Sequence, residues 1–269
     1  MNRNVKIALN VVVWVILLAY LIVSARYCSH RRADLTCTGV NVVIKDSLNT
    51  GFLTTGSVRN ILTQNGLKLE GVPLDSISPL AVEQAISSQP YVKKAKVYHS
   101  MDGVVHIEVE QRAPILRVQS ENGYRFYLSS DGHVMPIRRT FFVDVPIVTG
   151  VPRLPFGTEF AGKISEPEET EKKGAENVHF LRNLINFVEF LKRDSFWGAQ
   201  IVQINVISGN EVELIPRVGR GIILLGHLDD YEEKLDKLFK FYRQGLAYEG
   251  WNKYSLINLK FKDQVVCVK

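Results

Sequence analysis

The chain has 269 residues, of which 46% are hydrophobic and 23% charged, a balance typical of a folded globular protein and not of a disordered one. The formal net charge of +5 is mild, and without a basic run or a basic helix face it favours no nucleic-acid partner. The three cysteines lack CxxC or metal-ligand spacing, which excludes a disulfide-rich scaffold and a zinc motif. Cys28 and Cys37 could form a disulfide in an oxidising compartment, or could stay free thiols.

The first predicted element is a membrane-spanning helix over residues 7–25. In its core, IALNVVVWVILLAYLIV, Asn10 is the only residue outside the hydrophobic set, and a helix that is apolar on every face belongs in lipid. The small residues of Val23-Ser24-Ala25 leave a cleaved signal peptide as the alternative. The apolar stretch is longer than the usual signal core of about 7–15 residues, which favours a retained anchor.

The anchor divides the chain into a short head, residues 1–6, and a long remainder that begins with a polar tether, residues 26–39. Basic residues flank the span on both sides, so the charge difference does not set its orientation. A long domain crosses the membrane largely regardless of flanking charge. We therefore predict a cytoplasmic N-terminus and a C-terminal bulk outside the cytoplasm.

Residues 40–112 are predicted to form a domain with the order β-α-α-β-β. Its last strand, 104–111, alternates apolar and polar residues, as a half-buried strand does. The second helix has Ser78 as its N-cap and Pro79 at its first position. The predicted elements are the strand 39–46, the helices 54–66 and 78–90, and the strands 92–98 and 104–111.

Residues 113–269 are predicted to form a mixed, β-rich domain with two helices and an open terminal edge strand. The acidic stretch 156–177 has no period and is predicted to be an exposed loop. The helix 229–245 shows a capping-box pattern at Asp229 and Glu232, and Gly245 is its predicted end. The predicted helices are 178–193 and 229–245, and the predicted strands are 115–118, 124–128, 145–148, 199–207, 211–216, 221–226, 255–261 and 264–269.

No pattern in the chain predicts a catalytic, cofactor-binding or metal site. The best metal candidate is His227 with Asp229 and Asp230, but helix capping is a simpler explanation of Asp229. The sequence also lacks a nucleophile elbow and a helix-linked phosphate loop. We therefore predict a binding protein, not an enzyme, with no cofactor and no small-molecule substrate.

Residues 90–118, PYVKKAKVYHSMDGVVHIEVEQRAPILRV, resemble the end of the membrane-proximal POTRA domain of the FtsQ/DivIB bacterial cell-division proteins. In that family a hairpin closes the β-α-α-β-β domain and passes into a β-rich one. Gln111, Arg112 and Pro114 match the junction between the two domains. The resemblance continues in residues 127–137, 144–150 and 228–238.

The resemblance implies an α+β, non-enzymatic scaffold of the bacterial divisome, held in the cytoplasmic membrane, which is the cell inner membrane, at the division septum. Its implied partners are the FtsB- and FtsL-type division proteins, bound by β-strand augmentation along the last strand region. Ordinary sheet core is an equally simple interpretation of that region. The predicted partner-binding residues are Leu259, Phe261, Gln264, Val265 and Val266.

A second interpretation is a POTRA-bearing component of outer-membrane secretion or assembly with a cleaved signal peptide. Such a protein would normally carry repeated POTRA units or a barrel of many alternating strands. The sequence shows neither pattern.

Overall fold

The structure is a computed structural model that describes residues 12–24, 35–45, 51–138, 142–164 and 172–269. The described chain divides into two compact units. Leu53–Ser88 and Val92–Gln111 belong to the first unit, together with the strand that precedes them. Arg112–Lys269 belongs to the second unit, together with Phe52 and Gln89–Tyr91.

Helix α1 covers residues 12–24, and its large apolar side chains are exposed. The predicted span, 7–25, therefore lies partly outside the described residues. The head, 1–6, and Cys28 lie wholly outside them. Among the described residues, no helix is both long and apolar enough to cross a membrane. Cys37 is buried, and its thiol donates to the carbonyl oxygen of Gly39 at 3.4 Å.

The first unit has the predicted β-α-α-β-β order. Its elements are β1 (Gly39–Lys45), α2 (Thr55–Gln64), α3 (Pro79–Ser87), β2 (Val92–His99) and β3 (Val104–Gln111). The strands form a three-stranded sheet in the order β1-β3-β2, in which β1 runs parallel to β3 and β2 antiparallel to it. The fold prediction for this part of the chain is confirmed.

Local sequence signals account for these helices and strands. The hydroxyl of Thr54 accepts from the Ser57 amide, and that of Ser78 accepts from the Ala81 amide at 3.3 Å, so both helices begin with a side-chain cap. In β3 the alternation is confirmed, because every second residue from Val105 onwards is buried.

The second unit contains one ten-stranded sheet. Its strands are β4 (Pro114–Gln119), β5 (Arg125–Ser129), β6 (His133–Pro136), β7 (Ile147–Gly150), β8 (Gly162–Lys163), β9 (Ile201–Val206), β10 (Val212–Pro216), β11 (Ile222–Gly226), β12 (Leu256–Asn258) and β13 (Val266–Val268). They are ordered β13-β12-β11-β10-β9-β7-β4-β5-β6-β8, so the last strand of the chain lies at one end of the sheet.

Four helices accompany this sheet in the described part of the unit: α4 (Lys172–Arg193), α5 (Ser195–Gln200), α6 (Tyr231–Phe241) and α7 (Ala247–Glu249). A π-helical turn, Tyr242–Leu246, joins α6 to α7. Buried side chains of α4 and α6, among them Leu184 and Leu235, form one hydrophobic core with the strands. Helices α4 and α6 therefore cover one face of the sheet.

Three local predictions in this unit are wrong. The stretch 156–177 is not entirely loop, because it contains β8 and the start of α4 at Lys172. Asp229 does not cap α6: the N-cap is Asp230, in a left-handed conformation, and the Asp229 carboxylate accepts from the amide of Asn183 at 3.1 Å. Gly245 does not end the helix, because the chain continues through the π-helical turn to Gly250.

Candidate functional site at the terminal strand

The strand β13 lies at the edge of the ten-stranded sheet. On one side β12 pairs in parallel with β11, and on the other it pairs antiparallel with β13. Among the described strands, β12 is the only neighbour of β13. An edge strand presents backbone N–H and C=O groups that can pair with another chain, so the end of the sheet has the geometry for strand addition.

The five predicted partner-binding residues lie in and after the connection between β12 and β13, in different environments. Leu259 is fully buried, and its amide donates to the carbonyl of Leu224 at 2.9 Å. Phe261 and Gln264 are exposed in the connection, with Phe261 47% exposed. Val265 is half-buried against the core, and Val266, 38% exposed, begins β13. The structure therefore places Leu259 in the core and the other four nearer the surface.

Two lysines fix the connection between β12 and β13. The Lys237 ammonium, from α6, donates to the carbonyl oxygens of Leu259 at 3.3 Å, Lys262 at 3.2 Å and Phe261. The Lys260 ammonium forms an ion pair with Glu211 at 2.6 Å. The connection is thus attached to α6 and to the residue that precedes β10.

An apolar surface lies beside this edge, on the sheet face opposite the helices. Strand register puts Ile222, Leu256 and Val268 in one cross-strand row, and Leu224, Asn258 and Val266 in the next. Cross-strand neighbours share a face, and the alternate residues of these strands, such as Ile257, are buried in the core. We call the five aliphatic residues of these rows the outer apolar patch: Ile222, Leu224, Leu256, Val266 and Val268.

Further into the sheet, the same face carries a network of polar side chains. The Gln203 amide donates to the Thr149 hydroxyl at 2.9 Å, and that hydroxyl donates to the Asn205 side-chain oxygen at 3.0 Å. The Asn205 amide then donates to Glu213 at 2.9 Å. Because Glu213 lies opposite Leu224 in the register of β10 and β11, the polar network borders the outer apolar patch. In the next row of this face, Ile215 and Ile147 lie on either side of Gln203, so the face is mixed over β7, β9 and β10 and mainly apolar over the strands next to the free edge. An exposed apolar patch of this kind is typical of an interaction surface.

The residues at the junction between the two predicted domains, Gln111, Arg112 and Pro114, make contacts that stabilise the fold. Gln111 is buried, and its side-chain oxygen accepts from the Leu53 amide at 2.9 Å. Arg112, 6% exposed, donates through Nε to the carbonyl of Pro90 at 3.2 Å and through Nη1 to the carboxylate of Asp131. Pro114 begins β4 at a position where a missing amide is tolerated.

The charge of Arg112 shifts the pKa values of two neighbours. Burial raises the pKa of Asp131, but hydrogen bonds from Ser129 and Arg112 and the guanidinium charge outweigh it, so the pKa lies below its usual value. Burial, followed by the charge of Arg112, lowers the pKa of His133. Asp131 is therefore held as a carboxylate, and His133 is held neutral, at neutral pH.

The polar residues near His227 do not form a metal centre. The His227 ring lies 3.9 Å from Glu211, and Asp229 is bonded to Asn183. Within the described ranges, no three His, Cys, Asp or Glu side chains are grouped so that they could hold a metal ion.

Comparison with known proteins gives the family. A family model described as FtsQ/DivIB, C-terminal related, matches residues 113–268, and one described as a POTRA-like domain matches residues 35–110. The chain belongs to the FtsQ/DivIB C-terminal-related family. The resemblance found in the sequence is thereby confirmed, and the domain matched over most of the second unit is the one that contains the β13 edge.

Two relatives agree with this assignment. The cell division protein FtsQ of Rhodothermus marinus is 25% identical over 202 residues, which cover 73% of this chain and 67% of that protein. The cell division protein FtsQ of Salinibacter ruber is 25% identical over 201 residues, covering 73% of this chain and 71% of that protein. The chain is an FtsQ-like cell-division protein, and neither match points to an outer-membrane secretion component.

The sequence did not reveal the outer apolar patch or the role of Lys237. In residues 222–225, IILL, successive residues are apolar, and such a run is typical of a strand covered on both faces. In the structure the core covers only one face of β11. The apolar residues on its other face could therefore have indicated a surface that another chain covers.

Proposed function

We propose that this FtsQ-like protein is a non-enzymatic scaffold of the divisome, anchored in the cytoplasmic membrane and concentrated at the septum. Its N-terminus lies in the cytoplasm and its two units lie outside it. It binds an FtsB-type division protein, and through that protein an FtsL-type one, by β-strand augmentation at β13. The observation that carries the proposal is the combination of an open edge strand and the outer apolar patch in a domain of the FtsQ/DivIB family.

The free edge supplies the affinity in this mode of binding. A partner strand that pairs with β13 forms main-chain hydrogen bonds along it, and these bonds do not depend on the partner's side chains. Short edge strands normally discourage self-association, and β13 has only three residues. A partner therefore needs further contacts beyond the strand itself.

The outer apolar patch supplies those contacts. Its rows run across β11, β12 and β13, so a strand added at the edge extends both rows by one residue each. The side chains of that strand alternate in direction, and every second one lies beside Val266 and Val268. We infer that the partner segment carries aliphatic or aromatic residues at alternate positions, with more apolar side chains that cover the rest of the patch.

Anchoring in the membrane is supported by residues 7–25. The described part of that stretch, residues 12–24, is helical, and its valine, leucine and isoleucine side chains are exposed on every side. Lipid is the environment that suits such a helix. A single anchor would hold the β13 edge near the same membrane surface as its partners.

The test uses the full chain and the extracytoplasmic segment of the FtsB-type protein from the same cell. Val268 and Val218 are matched, because each is a valine that is 50% exposed, but only Val268 belongs to the outer apolar patch. We expect Val268→Lys to weaken binding by at least about tenfold, the effect of losing a well-packed interface contact, and Val218→Lys to bind as the wild type does. Absence of binding by the folded wild-type chain, or equal binding by both variants, would contradict the proposal.

A further inference from the structure

One side chain of α6 contacts the connection between β12 and β13. Leu235 and Leu238 of this helix are buried in the core, so the helix backbone around Lys237 is fixed. An ammonium group has three N–H donors and no acceptor. Lys237 directs its ammonium at three carbonyl oxygens of the connection, those of residues 259, 261 and 262.

The other attachments of the connection act at its beginning. The Leu259 amide donates to Leu224, the Lys260 amide donates to the side chain of Asn258 at 3.0 Å, and the Lys260 ammonium pairs with Glu211. Of the described hydrogen bonds, those from Lys237 are the ones that reach residues 261 and 262. They hold the chain where it turns towards β13.

The strand β13 needs such support because its own pairing is short. It pairs with β12 at three positions, from Leu256 opposite Val268 to Asn258 opposite Val266. Strand pairs of this length are marginal by themselves. The half-buried side chains of Val265 and Cys267 pack against the core and add to the attachment.

We propose that Lys237 is a positioning residue for the partner-binding edge, one that holds the connection so that β13 is in place before an extended partner strand arrives. This inference rests on the function proposed above. If β13 is docked only part of the time, the apparent affinity for a strand that pairs with it equals the full affinity multiplied by the docked fraction. Lys237 acts through the backbone of the connection and keeps that fraction near one.

The helix offers a matched control. Lys240 lies about one turn further along α6, and its ammonium pairs with the exposed carboxylate of Asp236 at 2.6 Å. Lys240→Met therefore removes the same kind of group from the same helix without changing the connection. Lys237→Met keeps the apolar stem and removes the donors, whereas Lys237→Arg keeps the charge and several donors.

The experiment measures amide hydrogen exchange of the free full chain and its affinity for the partner segment used above. In Lys237→Met we expect β13 to be docked about one tenth of the time, so the affinity should fall about tenfold, because it scales with the docked fraction. Exchange of the β13 amides follows the undocked fraction, and it should become at least about tenfold faster. The binding signal of Lys237→Met at saturating partner should equal that of the wild type. Amides of β9 and β10 should be unchanged, Lys237→Arg should restore most of the affinity, and Lys240→Met should behave as the wild type.

Three outcomes would overturn the inference. Unchanged exchange of residues 261–268 in Lys237→Met would show that Lys237 does not hold the connection. Faster exchange with wild-type affinity would show that binding does not depend on the contacts made by Lys237. A wild-type chain that does not bind the segment would remove the partner role together with the proposed function, and the exchange data would still report separately whether Lys237 holds the connection.

Discussion

The guanidinium of Arg112 donates to the carboxylate of Asp131, and the pair joins the segment just before β4 to the turn between β5 and β6. The Arg112 side chain is almost completely buried, whereas that of Asp131 is half exposed. Ser129 supports the pair, because its hydroxyl donates to the other carboxylate oxygen of Asp131 at 2.5 Å. The Gln-Arg-x-Pro junction of the sequence therefore has a structural function at the start of the second unit.

Replacing Arg112 should destabilise the second unit. Arg112→Met leaves the carbonyl of Pro90 and the carboxylate of Asp131 without this donor, and we expect a loss of about 2 kcal/mol in the free energy of unfolding. Arg125→Met, at an exposed position on β5, should change it by less than about 0.5 kcal/mol. Urea unfolding of the three proteins at neutral pH measures the difference. Equal losses in the two variants would argue against a special role of the pair.

The free energy of unfolding should fall between pH 7 and pH 5 because His133 becomes protonated more readily in the unfolded chain. Burial and the charge of Arg112 lower its folded-state pKa below the ordinary value of 6.5, so the unfolded chain takes up the proton first. The contribution of His133 to stability is therefore full above pH 6.5 and declines as pH falls towards the folded-state pKa. Urea unfolding at pH 7 and pH 5 checks this. His133→Gln should show a smaller difference between the two pH values, and an unchanged difference would contradict the explanation.

Asp131 should affect the stability of the folded chain at lower pH than His133 does. Its folded-state pKa lies below the ordinary 3.8, so its contribution is complete above that value and is lost as pH falls through the lowered one. Acid titration of the folded fraction should therefore show Asp131→Asn to be less sensitive than the wild type below about pH 4. Parallel acid transitions of the two proteins would count against this assignment.

Variants of Leu259 and Phe261 should distinguish a residue that stabilises the core from one that contacts the partner. Leu259→Ala removes a fully buried side chain and should cost about 2–5 kcal/mol of unfolding free energy. Phe261→Lys changes a side chain in the exposed part of the connection and should change stability by less than about 0.5 kcal/mol, while it weakens partner binding. Thermal unfolding and binding, measured on both variants, test the two roles. A folded Phe261→Lys variant with full affinity would remove Phe261 from the partner surface.

Gly150 should be intolerant of any side chain. Its φ of 81° is left-handed, and an added Cβ would overlap the Val206 carbonyl oxygen, with which the neighbouring Val151 amide bonds at 2.8 Å. We expect Gly150→Ala to destabilise the second unit by more than about 2 kcal/mol. Gly157, beside which an added Cβ meets no atom within 4 Å, provides the control variant Gly157→Ala. Similar unfolding midpoints for the two variants would contradict the prediction.

The sequence predicted most of the elements because their signals are local. Alternation identified β3, helical spacing identified α2, and the Ser78 cap with helical spacing identified α3. The early start of α4 was not predictable in the same way. Its first residues, KKGAEN, have no apolar stripe and include a glycine of low helix propensity, so periodicity begins only further along the helix.

The candidate site was predictable only in part, because its main features depend on residues far apart in the sequence. Helical spacing favours a pair between Lys237 and Glu233, but the ammonium instead reaches carbonyls more than twenty residues further on. Likewise, Leu259 and Phe261 are both apolar, and only the packing of the folded connection shows that Leu259 is in the core and Phe261 is exposed.

Hydrogen exchange of the full chain, with and without the FtsB-type partner segment, tests strand addition at β13 most directly. Strand addition predicts slower exchange of amides in Val266–Val268 when the partner is bound, because a new strand pairs with them. Gly162–Lys163 at the opposite end of the sheet should exchange at the same rate with and without partner. Protection confined to other strands, with Val266–Val268 unchanged at saturating partner, would contradict strand addition at β13.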